Sequence, residues 1–180
     1  IDLIDKPTLK FSKRVPQLPK AFSPSGKDYF AVMRRQDVLV HHPFESFAPV
    51  VEFLRQAAND PAVLAIKQTL YRTGEQSVIV GLLEQAARNG KEVTVVIELR
   101  ASFDEAANID LARRLQEAGA HVAYGVVGYK THAKMLLVVR REREQLRHYV
   151  HLSTGNYHPR TASLYTDFGL FTAHEDIGHD

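Results

Sequence analysis

Val63-Leu-Ala-Ile-Lys-Gln-Thr-Leu70 reads as a strand, and it opens the first of three β-then-α steps that decide the fold. Ser77 to Arg88 follows as a helix and is stopped by Asn89-Gly90. Val93 to Leu99 is the second strand, after which Asp104 caps a helix running through Leu111 and Leu115 to Gly119, and His121 to Tyr124 is the third. This alternation predicts an α/β domain with a mixed, largely parallel sheet flanked by helices. Downstream the rhythm changes to strand, turn, strand: Ala133 to Arg140, a charged connection at Arg141 to Glu144, Tyr149 to Thr154, and Tyr165 to Thr172. Upstream, Tyr29-Phe-Ala-Val-Met33 and Asp37-Val-Leu-Val-His41 read as short strands before a turn at His42-Pro43. From Ser46, an N-cap, the residues Phe47, Val50, Val51, Leu54 and Ala58 recur at helical spacing until Asn59-Asp60-Pro61.

At 180 residues, with 44% hydrophobic and 24% charged, the chain is long enough for one domain with a sizeable core. Its longest aliphatic runs are far short of a membrane span, and no charged-then-apolar signal segment opens it. Zero cysteines exclude disulfides and thiolate metal sites and suit a reducing cytoplasm. Residues 1–27 carry Pro7, Pro16, Pro19 and Pro24 with little periodicity and read as an extended basic linker. They hold six basic and two acidic residues, so residues 28–180 carry −2 of the net +2. A body so balanced argues against a nucleic-acid-binding face, while the basic arm is compatible with another polyanion. The opening Ile1 suggests a piece of a longer protein.

A polar cluster lies between Gly128 and Asn156. If His132 and Lys134 begin the strand that continues through Met135 to Val139, their side chains leave one face, placing a nucleophilic imidazole beside an ammonium. The second stretch, Ser153-Thr-Gly-Asn156, ends another strand in small polar donors, and Gly155 permits close approach of a ligand. Phosphoryl transfer uses such a nucleophile and such donors. Taken alone, His-x-Lys more often describes a strand entering the core from a solvated turn. Arg72 follows the first strand, and Glu98, Arg100 and Ser102 share a face at the exit of the second, where open α/β sheets place ligands.

With these residues in view, the chain resembles the phospholipase-D-like catalytic domain of bacterial polyphosphate kinase of the first type. The resemblance rests on Asp37-Val-Leu-Val-His-His-Pro-Phe-Glu-Ser-Phe47, Leu64-Ala-Ile-Lys-Gln-Thr-Leu-Tyr-Arg-Thr73, Asn89 to Leu99, Phe103-Asp-Glu-Ala-Ala-Asn-Ile109, Lys130-Thr-His-Ala-Lys134, Ser153-Thr-Gly-Asn156 and Leu164-Tyr-Thr-Asp167. It implies a phospholipase-D-like domain over residues 28–180, a fragment of a longer enzyme that transfers the terminal phosphoryl group reversibly between ATP and inorganic polyphosphate. It further implies that His132 is the phosphorylated histidine, that Lys134 and Asn156 assist it, that Tyr165 stacks near the adenine, and that Arg72 lies at the phosphate and Mg²⁺ positions. Guanidinium has donors and no acceptor, so Arg72 would hold phosphate oxygens that themselves bind Mg²⁺. The family usually shows Ala-Arg-Phe-Asp-Glu where this chain has Ala101-Ser102-Phe103-Asp104-Glu105. The second phosphate-site and metal-site position is therefore Ser102, and Arg100, about 6–7 Å earlier on the same strand face, is the candidate replacement. ATP or ADP and polyphosphate are the implied partners, together with a second catalytic domain absent from this chain. The implied full-length enzyme is a cytoplasmic homo-oligomer, with a membrane-peripheral placement left open.

Two other readings stay open at this point. A phospholipase-D-type phosphodiesterase or nuclease would need Asp after four intervening residues beyond Lys134 to complete its motif, but that position, 139, is Val. A polyanion-binding fragment without chemistry would use the basic arm and the phosphate pocket alone.

Overall fold

Seven strands, β1 (Val38–His42), β2 (Val63–Leu70), β3 (Glu92–Ile97), β4 (His121–Tyr124), β5 (Lys134–Glu142), β6 (Gln145–Ser153) and β7 (Asp167–Thr172), form one sheet in the order β1-β7-β6-β5-β2-β3-β4. The structure is a computed structural model and describes residue 6 and residues 15–24, 26–71, 77–98, 105–125 and 131–180. The sheet is mixed and flanked by helices, as expected, but its parallel part is smaller than the β–α alternation suggests. Only β2–β3 and β3–β4 are parallel, linked through helices α3 (Val78–Arg88) and α4 (Glu105–Glu117); the other four pairings are antiparallel. The reason is connection length. The two-residue turn at Arg143-Glu144 can only return β6 antiparallel to β5, and the β6–β7 connection, whose helix α5 (Pro159–Ala162) is a single turn, is too short for a parallel crossover over the sheet.

Helix α2 (Ala48–Asn59) buries Val50, Phe53, Leu54, Ala57 and Ala58, the spacing of a single helical face. It packs on α3, which buries Ile79, Val80, Leu82, Leu83 and Ala86. Both lie over one face of the sheet, where Ile66, Val95, Leu136, Val138, Tyr149 and Phe171 are inaccessible. Each such side chain contributes about 1.5–3 kcal/mol by leaving water. Helix α4 ends on Gly119 at φ 97°, with Ala120 N–H reaching back to Leu115 O at 2.9 Å. That left-handed closure is one that glycine adopts without strain. On the opposite face α6 (Glu175–His179) lies along β6, and a Cβ on Gly178 would collide with His148.

Three local expectations change. Tyr29–Met33 is a helix, α1, rather than a strand: Asp28 accepts a hydrogen bond from Ala31 N–H at 3.0 Å, and Tyr29, Phe30, Val32 and Met33 are all buried, a pattern that alternation does not produce. The charged stretch Arg141-Glu142 belongs to β5, and only Arg143-Glu144 turns. Part of the lead-in is packed on the body. Gln17 bridges to Glu45, and Phe22 is fully buried, stacked on Tyr29 at 4.0 Å and edge-on to Phe171 at 5.0 Å. Asp104, expected to cap α4, lies outside the described residues.

Candidate functional site

The end of the sheet where β5 begins gathers the polar residues. Lys134 pairs with Ser153 on β6, and Ser153 with Gly169 on β7. His132, Gly155 and Asp167 each lie two residues beyond that row, at the same end. His132 precedes β5 rather than lying in it, so strand alternation does not fix its side chain, as the sequence reading supposed.

Side chains from three elements fix the backbone there instead. Thr131 N–H donates to the Glu98 carboxylate at 2.8 Å. Lys134 Nζ donates to His132 O at 2.6 Å. Thr69 Oγ1 donates to Ala133 O at 2.7 Å and accepts from Met135 N–H at 2.9 Å. The main chain of residues 131–135 is thus tied at four points, at Thr131, His132, Ala133 and Met135, while His132 itself stays exposed. Lys134 is 6% exposed and lies 5.6 Å from the Tyr71 ring centroid, and Tyr71 meets His132 edge-on at 5.9 Å. Tyr71 thus touches both Lys134 and His132, while the ammonium itself reaches the His132 main chain rather than its ring. Glu98 stands out in the sequence at the strand exit, whereas Thr69 and Tyr71 carry no such signal, because only the register of β2 against β5 brings them to this loop.

The second polar stretch is equally ordered. Gly155 N–H donates to Ser153 Oγ at 3.0 Å, and Thr154 Oγ1 donates to Asp167 Oδ1 at 2.8 Å while accepting from Phe168 N–H at 2.9 Å. Asn156 is half-buried, and its Oδ1, shielded from solvent, has no hydrogen-bond partner among the described residues, so the protein does not lock this side-chain amide through its oxygen. Below the turn, Tyr157 O–H donates to His151 O at 3.1 Å, and the two side chains meet at 3.0 Å through His151 Nδ1. Burial, with His42 nearby, pushes the His151 imidazole down to about 3, so it is neutral. Asp167, half-buried beside Gly155, is a carboxylate at this end of the sheet that the sequence reading did not list as a site residue. The one signal for it was the run Leu164-Tyr-Thr-Asp167.

Tyr165 stands 63% exposed in the turn before β7, outside the strand expected for it, with its ring open to stacking. Arg72, Arg100 and Ser102 lie outside the described residues. Val139 sits midway along β5, opposite Ala65 and His148, so the phosphodiesterase motif finds no carboxylate there. Among the described residues no group of three or more His, Cys, Asp or Glu side chains could hold a metal ion, so these residues do not fit a protein-bound Mg²⁺ cage. None of the described helices is long and apolar enough to cross a membrane.

Residues 28–180 match the family model of polyphosphate kinase C-terminal domain 1. The chain is 58% identical to the polyphosphate kinase of Burkholderia vietnamiensis over 99% of its own length and 26% of that protein, and 56% identical to that of Neisseria meningitidis serogroup C over the same shares. It thus spans about a quarter of the length of these curated relatives. Among solved structures, the polyphosphate kinase of Porphyromonas gingivalis matches with a TM-score of 0.83 and 38% identity, covering 97% of this chain and 29% of that one. A phospholipase D family member from Salmonella typhimurium shares the fold at a TM-score of 0.60 and 16% identity, over 80% of this chain and 87% of that one.

Proposed function

The chain belongs to the polyphosphate kinase C-terminal domain 1 family, and from that premise we propose that it supplies one wall of a site where the terminal phosphoryl group moves between ATP and inorganic polyphosphate through His132. The observation that carries the proposal is the four-point fixation of residues 131–135, which holds the exposed His132 beside the nearly buried Lys134. Such preorganisation serves a reaction whose catalysis is mostly positioning and charge stabilisation.

In the proposed step a neutral imidazole nitrogen attacks the γ-phosphorus in line. The phosphorus–nitrogen bond forms as the bond to the β–γ bridging oxygen breaks, and the electron pair leaves on ADP. A terminal oxygen of polyphosphate then takes the phosphoryl group and releases the imidazole; the reverse sequence makes ATP. Lys134 stabilises charge on the equatorial oxygens, Asn156 donates amide N–H to the bound phosphates, and Tyr165 offers its exposed ring to adenine. Arg72, with Arg100 in place of the family arginine at Ser102, is assigned to the nucleotide phosphates. Mg²⁺ would be carried on the substrate phosphates as their counter-ion rather than held by a cage of protein side chains. A proton donor on the far side of the phosphorus is assigned to a second domain of the relatives' longer chain. The same reading extends to a cytoplasmic homo-oligomer at that length, checked by light scattering.

The test is a chimera in which this chain replaces its 58% identical counterpart in the Burkholderia vietnamiensis enzyme. Incubation with ATP should leave an acid-labile, alkali-stable phosphate on His132 by mass spectrometry, and His132→Ala should abolish transfer in both directions. Phosphate on another residue, with His132→Ala active, overturns the assignment.

A further inference from the structure

Far from His132, where the β5–β6 hairpin turns, a cavity of about 920 Å³ opens between the hairpin, Arg34 and α6. Nine residues of β5 separate the two ends, so this cavity lies roughly 27 Å from Lys134 at the rise of an extended strand. Five arginines line it, Arg34, Arg140, Arg141, Arg143 and Arg147, against two carboxylates, Glu142 and Glu175. Residues 28–180 as a whole carry −2, so general basicity does not account for such a concentration.

Three of the five cations are already engaged. Glu142 takes Arg34 at 2.7 Å, Arg140 at 2.8 Å and Arg147 at 3.3 Å, and it also accepts from the Tyr149 hydroxyl. Arg140 is further held by Asp60 at 2.8 Å. Glu142 is thereby saturated, and Arg141 and Arg143 have no carboxylate partner among the described residues. Arg143 also keeps a positive φ of 56°, alone among the described non-glycine residues. A glycine would take that conformation without strain, so the arginine sits there at a backbone cost.

We propose that this groove is a second docking site, for a run of inorganic polyphosphate remote from the transfer site; the proposal rests on the polyphosphate reading given above. The lining chemistry favours condensed phosphate over nucleic acid. Free guanidinium forks match phosphate oxygens, whereas single-stranded nucleic acid is gripped through aromatic platforms, and no Phe, Tyr or Trp lines the cavity. A polymer held here has its reacting end delivered at raised effective concentration to a site on the same sheet.

The experiment measures binding of long-chain polyphosphate, and of single-stranded DNA at equal charge, to this chain at low and moderate salt. The variants are Arg141→Gln with Arg143→Gly, chosen because glycine suits the positive φ; thermal unfolding confirms that the fold is kept. Polyphosphate affinity should fall roughly tenfold, with a shallower salt dependence, for the loss of two exposed cations, while phosphorylation of His132 in the chimera is unchanged. Unaltered polyphosphate affinity in the folded double variant overturns the groove, as does DNA binding of equal strength that shows the same loss. His132 labelled with the groove variant silent leaves the transfer reading standing alone. A silent His132 with polyphosphate affinity still dependent on Arg141 and Arg143 leaves the groove standing alone.

Discussion

The carboxylate of Asp167 occupies the space that a side chain on residue 155 would need, so Gly155 lies under it with no room for even a methyl group. The contact is not slack. Asp167 Oδ1 is held by Thr154 Oγ1 at 2.8 Å, and His42 pairs with Asp167 across the β1–β7 ladder. Gly155→Ala should therefore push Asp167 off Thr154 and cost about 1–3 kcal/mol, seen as a lower thermal midpoint. Truncating the obstacle as well, with Asp167→Ala, should recover part of that loss, so the double-mutant cycle should show coupling between the two sites. Additive losses would mean that the glycine is required for another reason.

A second expectation concerns acid. Burial opposes ionisation of Glu142, but hydrogen bonds from Tyr149, Arg140 and Arg34 outweigh it and hold its carboxyl below the usual 4.5. A carboxylate with a depressed folded value contributes stability that is complete above its unfolded value and is lost as pH falls through the folded one. Glu142→Gln should thus destabilise the chain by about 1.5–3 kcal/mol near neutrality, with the gap from wild type closing progressively below pH 4.5. A gap constant from pH 7 to pH 3 would show that packing, not charge, links these residues.

His151 should act in a different window. Its imidazole, lowered to about 3 by burial and then by His42, stays neutral in the fold but takes a proton at about 6.5 when the chain unfolds. The unfolded state binds the extra proton between those values, so stability falls as pH drops from 6.5 toward 3. His148 is also held down, by burial, His179 and Lys67, so the informative quantity is the difference between wild type and His151→Asn. Urea midpoints should show wild type losing stability faster than the variant between pH 6.5 and 5, where Glu142 is still ionised. Parallel curves would count against a neutral buried imidazole.

Much of this architecture was legible from the chain. Val63–Leu70 and His121–Tyr124 are strands at the bounds that alternation and turn residues suggested, and Gly90 and Gly119 close their helices at φ 80° and 97°. Local patterning failed where burial was decided by distant partners. Tyr29–Met33 is apolar enough for a strand, and only the Asp28 cap together with Phe22 and Tyr149 above and below makes it a helix. In the site, His132, Lys134 and Asn156 were marked by spacing and resemblance, whereas Thr69, Tyr71 and Asp167 enter through strand register, which no single segment encodes.

The loop carrying His132 supplies the last prediction. Glu98 is 6% exposed and spends a carboxylate oxygen on Thr131 N–H, while Asn108 Nδ2 reaches its main-chain carbonyl at 3.4 Å. It is a positioning residue, since it touches the loop and not the reacting atoms of the proposed transfer. Removing it with Glu98→Ala should let residues 131–133 drift, and a misplacement of about 1 Å can cost up to about 100-fold in rate. The expected signature in the chimera is a kcat lowered 10- to 100-fold with the ATP KM little changed. Glu98→Gln keeps an oxygen able to accept from Thr131 N–H, so it should restore most of the rate if orientation is what the carboxylate provides. Should Glu98→Gln be as slow as Glu98→Ala while both remain folded, the negative charge itself takes part, and the purely positional role assigned to Glu98 is wrong.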